Sequence, residues 1–216
     1  MKLSRRMKNS LIAAACAALL LCGCASSGPK TYTGADGITY REENDIQGVW
    51  LADGFDFKGY DTVLVAETTS DAESRSDEER GVLATARRTL RQELANALSD
   101  IGVFERVVTS TNDIPAGAKV LVLENNIYHH EKGGGGARYF AGLYGAGQPV
   151  IKVRGTMKGG GEPLFRYEME RSGESAGSRL GGAFMSDENI QTEDIKDLAR
   201  DLAAFVERTA KGLPAK

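Results

Sequence analysis

Two periods run along this chain. Leu83, Ala86, Leu90, Leu94, Ala97, Leu98 and Ile101 recur every three or four residues, with Arg87, Arg88, Arg91, Gln92, Glu93 and Asn96 between them. That spacing predicts an amphipathic helix. Ser76-Asp77-Glu78-Glu79 just upstream is a capping box, in which the Ser76 hydroxyl takes the Glu79 amide, and Gly102 can adopt the left-handed conformation that ends the helix. A second helix is predicted over residues 192–210, with Ile195, Leu198, Leu202, Phe205 and Val206 on one face and Gly212 and Pro214 as its stop.

The other period is two. Ile151, Val153 and Met157 alternate with Lys152, Arg154 and Thr156, and Phe165, Tyr167 and Met169 alternate with Arg166, Glu168 and Glu170. These are two half-buried strands, joined through residues 158–163 into a hairpin. The apolar, β-branched run at 62–66 reads as a buried strand. Further strands are predicted at 104–109 and 119–128, separated by a turn-forming stretch at 112–117. The order strand, helix, strand, strand, hairpin, helix predicts an α+β fold, a mostly antiparallel sheet with two amphipathic helices packed on one face. A single domain is expected over 59–213, preceded at 24–58 by a tether and lead-in whose Trp50, Phe55 and Phe57 pack its end onto the domain.

The N-terminus obeys neither period. Lys2, Arg5, Arg6 and Lys8 form a basic region, followed by an apolar run at 11–21. That is the layout of a signal peptide, since a membrane-spanning helix needs roughly 20 apolar residues. Ser4-Arg5-Arg6-Met7-Lys8 lacks the apolar residue that a twin-arginine signal wants at the Lys8 position and is an ordinary basic region. Leu21-Cys22-Gly23-Cys24 resembles the bacterial lipobox, with Cys22 standing where Ala or Ser is usual. The resemblance implies a signal peptide at 1–23, cleavage after Gly23, diacylglycerol on the Cys24 sulfur and an acyl chain such as palmitate on the new amine. Ala25 follows the lipidated position, which by the sorting rule of such lipoproteins implies the outer membrane.

Cys16, Cys22 and Cys24 are the only cysteines, so the chain downstream has no disulfide framework, cysteine zinc site or cysteine nucleophile. Of 27 Lys and Arg residues, four lie in the first 23 positions, where there is no acid; downstream, 23 basic residues face 30 acidic ones. That balance argues against nucleic acid as a partner, because affinity for phosphate backbones rests on clustered Lys and Arg.

Gly133-Gly134-Gly135-Gly136 opens a glycine-rich stretch that leads to Gln148-Pro149 and a strand, so it lacks the lysine and helix of a phosphate-binding loop. Within it, Arg138, Tyr139, Phe140 and Tyr144 are the residue types that dominate protein contacts, which marks a candidate partner-contact loop. His129 and His130, the only histidines, are adjacent on an extended segment and should point to opposite faces; one metal would need help from a carboxylate such as Glu131. No Gly-x-Ser-x-Gly elbow accompanies the serines.

The helix end Asn96-Ala97-Leu98-Ser99-Asp100-Ile101-Gly102-Val103-Phe104, the loop at 136–147 with Arg138-Tyr139-Phe140 and Tyr144, and the basic-apolar strand after it resemble a bacterial lipoprotein family known only as domain of unknown function 4410. The resemblance spans residues 60–212; where that family often has an Asp and a Thr-Gly in the hairpin turn, this chain has Lys158 and three glycines. With the lipobox, the absent catalytic motifs and the aromatic-studded loop, the expectation is an outer-membrane lipoprotein without catalysis or cofactor, its domain in the periplasm, acting in assembly or interaction with another envelope component or with itself. The alternatives are an envelope hydrolase or metal-dependent enzyme using His129 or His130, and a carrier of a small ligand or glycan in a cleft beside the loop.

Overall fold

The computed structural model describes residues 30–34, 36–43, 45–74, 76–133, 149–173 and 187–213. Both helices form where the apolar period predicts them. Helix α1 (Asp77–Asp100) begins at Ser76, whose backbone is extended and whose hydroxyl accepts the Glu79 amide at 3.1 Å. Asp77, Glu78 and Glu79 fill the first turn, where the helix dipole favours negative charge, and Gly102 follows the C-cap at φ 63°. Helix α2 (Asp187–Ala210) starts five residues before the predicted 192.

Nine strands make one sheet: β1 (Thr31–Thr33), β2 (Thr39–Arg41), β3 (Gly48–Leu51), β4 (Thr62–Val65), β5 (Thr69–Ser70), β6 (Arg106–Val108), β7 (Val120–Glu131), β8 (Val150–Gly159) and β9 (Glu162–Arg171). Their order is β1-β2-β3-β9-β8-β7-β4-β6, with β5 beside β7. The sheet is mostly antiparallel, and the fold is α+β. Strand β4 pairs parallel with both β6 and β7, and β5 parallel with β7, with α1 as the crossover from β4 to β6.

The compact unit begins at Thr31, not at the expected boundary of 59. The lead-in supplies three strands, and β3 pairs residue for residue with β9, Gly48 against Glu168 and Leu51 against Phe165. Strands of three or four residues are too short to show a period, so only the partner strand reveals them. The hairpin loop is tighter than the predicted 158–163: Gly160 and Gly161 alone turn the chain, both left-handed at φ 61° and 91°. Two successive positive φ values are what a two-residue hairpin turn with the sheet's own twist demands, and glycine adopts them without strain.

One face of the sheet meets both helices. Leu90, Leu94 and Leu98 of α1 and Leu198, Leu202, Phe205 and Val206 of α2 pack on Leu121, Leu123 and Ile127 of β7, Ile151, Val153 and Met157 of β8, and Phe165, Tyr167 and Met169 of β9. Phe57 joins from the lead-in, edge-on to Phe165 at 5.5 Å between ring centroids and to Phe104 at 6.5 Å. Burial of these side chains, at about 1.5–3 kcal/mol each, supplies the main stabilisation of the layer.

Candidate functional site

Chemistry gathers on the sheet face that the helices leave uncovered, and at the sheet end where residues 134–148 depart. On the uncovered face, register sets the neighbours. Asn126, Arg154, Glu168 and Gly48 form one row across β7, β8, β9 and β3; Glu124, Thr156, Arg166 and Trp50 form the next. Arg154 lies 5.3 Å above the Tyr128 ring and pairs with Asp71 at 2.7 Å. Arg166 lies 6.0 Å above the Trp50 ring and 3.3 Å from Asp36. Lys152 pairs with Glu170 at 2.9 Å and Lys158 with Glu124 at 2.7 Å. Exposed pairs are worth about 0–1 kcal/mol each, so this ladder specifies register more than it adds stability.

The β1–β2 hairpin curls over that face. Tyr32 on β1 donates its hydroxyl to Glu168 on β9 at 2.8 Å, although β2 and β3 stand between them in the sheet. A flat sheet would put those strands roughly 14 Å apart, which a tyrosine cannot span, so the hairpin folds back and lays the Tyr32 ring over Gly48. A β-carbon at Gly48 would meet the Tyr32 oxygen at 2.1 Å. Tyr32 and Tyr40 stack at 5.6 Å, and Tyr40 donates to Asp36 at 2.8 Å. Burial and the hydrogen bond to Glu168 push the Tyr32 phenol well above its ordinary value, and burial with Asp36 does the same at Tyr40, so both are neutral donors. Burial alone would raise the Asp36 carboxyl, but the Ile38 amide, the Tyr40 hydroxyl and the Arg166 charge outweigh it and bring it below the usual carboxylate value.

At the sheet end, a bulge in β7 decides where the histidines point. Ile127 pairs with Val153 but His129 pairs with Lys152, so Tyr128 and His129 stand opposite one residue. Both then face outward, and His130, beside buried Ile151, turns toward the helices. His129 Nε2 sits 3.2 Å from Glu131, while His130 Nε2 lies 2.5 Å from the side-chain amide nitrogen of Gln191 on α2. The two rings are therefore on opposite faces, as adjacency predicts, and do not converge on one ligand. Among the described residues no three His, Cys, Asp or Glu side chains are grouped to hold a metal ion. Lys132 reaches Glu78 at the start of α1 at 2.5 Å, fastening the root of the departing segment.

Burial holds the His130 imidazole below the ordinary histidine value of 6.5. The unfolded chain therefore takes up this proton first as the pH falls, so stability is full above about pH 6.5, declines below it, and levels off once the folded protein is protonated too. Urea unfolding at pH 7.5, 6 and 5 should show this decline, and His130→Gln should flatten it. Equal slopes in the two proteins would remove His130 as the cause.

Of the residues singled out in the sequence, Cys24, Arg138, Tyr139, Phe140 and Tyr144 lie outside the described residues. The uncovered face was legible only as alternation: the charged positions of β8 and β9 were evident, but not that Arg154 meets Tyr128 or that Arg166 meets Trp50. Tyr32, Tyr40 and Asp36 carried no signal, because the curl that brings them over the sheet is not a local property.

No protein-family model matches the sequence, and no curated protein does. Among solved structures, it is similar to the PelC dodecamer from Paraburkholderia phytofirmans, at 16% identity over 71% of this chain and 96% of that chain with a TM-score of 0.46. It is also similar to protein XCC0632 from Xanthomonas campestris, at 11% identity over 71% of this chain and 86% of that one with a TM-score of 0.37. At these scores the likeness carries neither fold nor function across.

Proposed function

We propose that this protein is a lipoprotein of the bacterial cell envelope, held at the outer membrane by lipid on Cys24, whose domain acts without catalysis by contacting another envelope component or a second copy of itself. The observation that carries the reading is the lipobox-like Leu21-Cys22-Gly23-Cys24 behind a basic and an apolar segment. The long β7–β8 ladder, of 12 and 10 residues, supports the contact role: it is a rigid two-stranded support whose ends are the two roots of residues 134–148. Beside those roots, Tyr128 and Arg154 continue the aromatic and arginine character of Arg138, Tyr139, Phe140 and Tyr144. Such residues on a rigid support are what interface hot spots are made of.

A photo-cross-linking residue placed at 138, 139, 140 or 144 in intact cells should yield one discrete adduct, and the same residue at Asp53 or Glu105 should yield none. Adducts of equal strength from all six positions, or none from the loop, would end the contact-loop reading.

A further inference from the structure

We infer that a pocket beyond the carboxyl end of β4, lined by Arg87, Arg88 and Arg91 of α1 together with Thr68, binds a phosphate-class oxyanion. The cavity measures about 300 Å³, and Glu67 and Ala84 complete its lining. It lies in the parallel part of the sheet, where folds with helical crossovers commonly hold ligands, beyond the strands' carboxyl ends.

Two of the arginines are held in place chiefly by main-chain carbonyls. Arg87 Nε donates to the Thr68 carbonyl at 2.6 Å, and Arg91 Nε donates to the Val65 carbonyl at 3.2 Å while its Nη2 reaches the Thr109 carbonyl. These bonds leave the Arg87 terminal nitrogens without a partner among the described residues. Arg88 has one long bond, to the Thr85 hydroxyl at 3.4 Å. Thr68, 3% exposed, has a buried hydroxyl with no hydrogen-bond partner among the described residues. A buried polar group in that state needs a physical reason, and an oxyanion that accepts its proton supplies one.

Elsewhere on the helices Arg80 pairs with Asp77, Lys196 with Glu193 and Arg200 with Asp197, each one turn away, and Arg208 pairs with Asp45 of the lead-in. Arg87, Arg88 and Arg91 have no acid three or four positions away on either side. Arg87 and Arg91 are instead like charges at i and i+4, and Arg88 and Arg91 at i and i+3, which opposes helix stability. Glu67 is the one carboxylate in the lining, with its side chain 82% exposed and 4.0 Å from Arg91, too solvated to neutralise three guanidinium groups. A cluster of this kind in a chain with more acids than bases is a site whose counter-charge comes from outside. Guanidinium forks match the oxygens of a phosphoryl group, whether that group is free phosphate or part of a lipid headgroup.

The full-length protein in non-ionic detergent should gain thermal stability with rising inorganic phosphate at constant ionic strength, and not with chloride. Arg88→Glu, at an exposed position that leaves the carbonyl contacts intact, should weaken the apparent phosphate affinity by about tenfold or more. Arg200→Glu on α2 should leave it unchanged. Binding of glycerophosphoglycerol, a soluble phosphodiester headgroup, as tightly as inorganic phosphate assigns the site to lipid headgroups, and preference for inorganic phosphate assigns it to the free ion. No phosphate-specific stabilisation, or equal stabilisation in wild type and Arg88→Glu, overturns the inference.

Discussion

Gly155→Ala should destabilise the fold by about 1–3 kcal/mol, the usual range for overpacking a closed core. Gly155 sits at the centre of β8, in register with Asn125 on β7 and Tyr167 on β9. The Tyr167 ring crosses it to donate its hydroxyl to Asn125 Oδ1 at 2.6 Å. A β-carbon at 155 would lie 2.2 Å from a Tyr167 ring carbon and 2.5 Å from the next. An exposed tyrosine would swing aside, but this one is fully buried and stacked on Phe165 at 5.9 Å, so moving it disturbs the packing around it. Displacing it would also take the hydroxyl from Asn125, itself 2% exposed, and strand a buried amide oxygen at a further cost of about 1–3 kcal/mol.

Urea denaturation measures the effect, and Tyr167→Leu separates the clash from a general loss at residue 155. With the ring gone, alanine at 155 has room, so the double variant should lose at least about 1 kcal/mol less than the sum of the singles. Strict additivity would mean that ring and glycine do not oppose one another. Tyr32 over Gly48 repeats the device on the uncovered face, where the partner is Glu168 and the cost of a β-carbon should be smaller because the hairpin can lift.

The second large effect concerns Cys24. Cells fed labelled palmitate should label the wild-type protein and the Cys22→Ala variant alike, and Cys24→Ala should carry no label. Each buried methylene contributes about 0.8 kcal/mol, so two or more acyl chains hold a protein on a bilayer that a single chain leaves. The same chain given a signal peptide with an Ala-x-Ala site and no Cys24 should therefore be recovered in the soluble periplasmic fraction. Label persisting in Cys24→Ala, or lost in Cys22→Ala, would refute the assignment of the lipidated residue and with it the proposed anchor.

The helices and the long strands were legible because their causes are local. The 3.6-residue stripe from Leu83 to Leu98, the Ser76 cap and the alternation of β8 and β9 each depend on a few neighbouring residues. The helix rows Arg87, Arg88 and Arg91 were equally visible as polar positions, but their meaning was not. It comes from the carbonyls of Val65, Thr68 and Thr109, which the β4–α1–β6 crossover brings to the helix. The histidine pair divides in the same way: adjacency predicts opposite faces, and the bulge at Tyr128 decides which ring faces outward.

By itself, then, the amino-acid order determined the α+β class, the two helices and the central strands, since hydrophobic period and capping act within a turn or two of the residues that carry them. Tertiary structure alone decided that the lead-in joins the sheet, that Tyr32 lies over Gly48, and that three arginines share a pocket. Each of those depends on strand register and chain curl, and both are set by contacts between segments far apart along the chain.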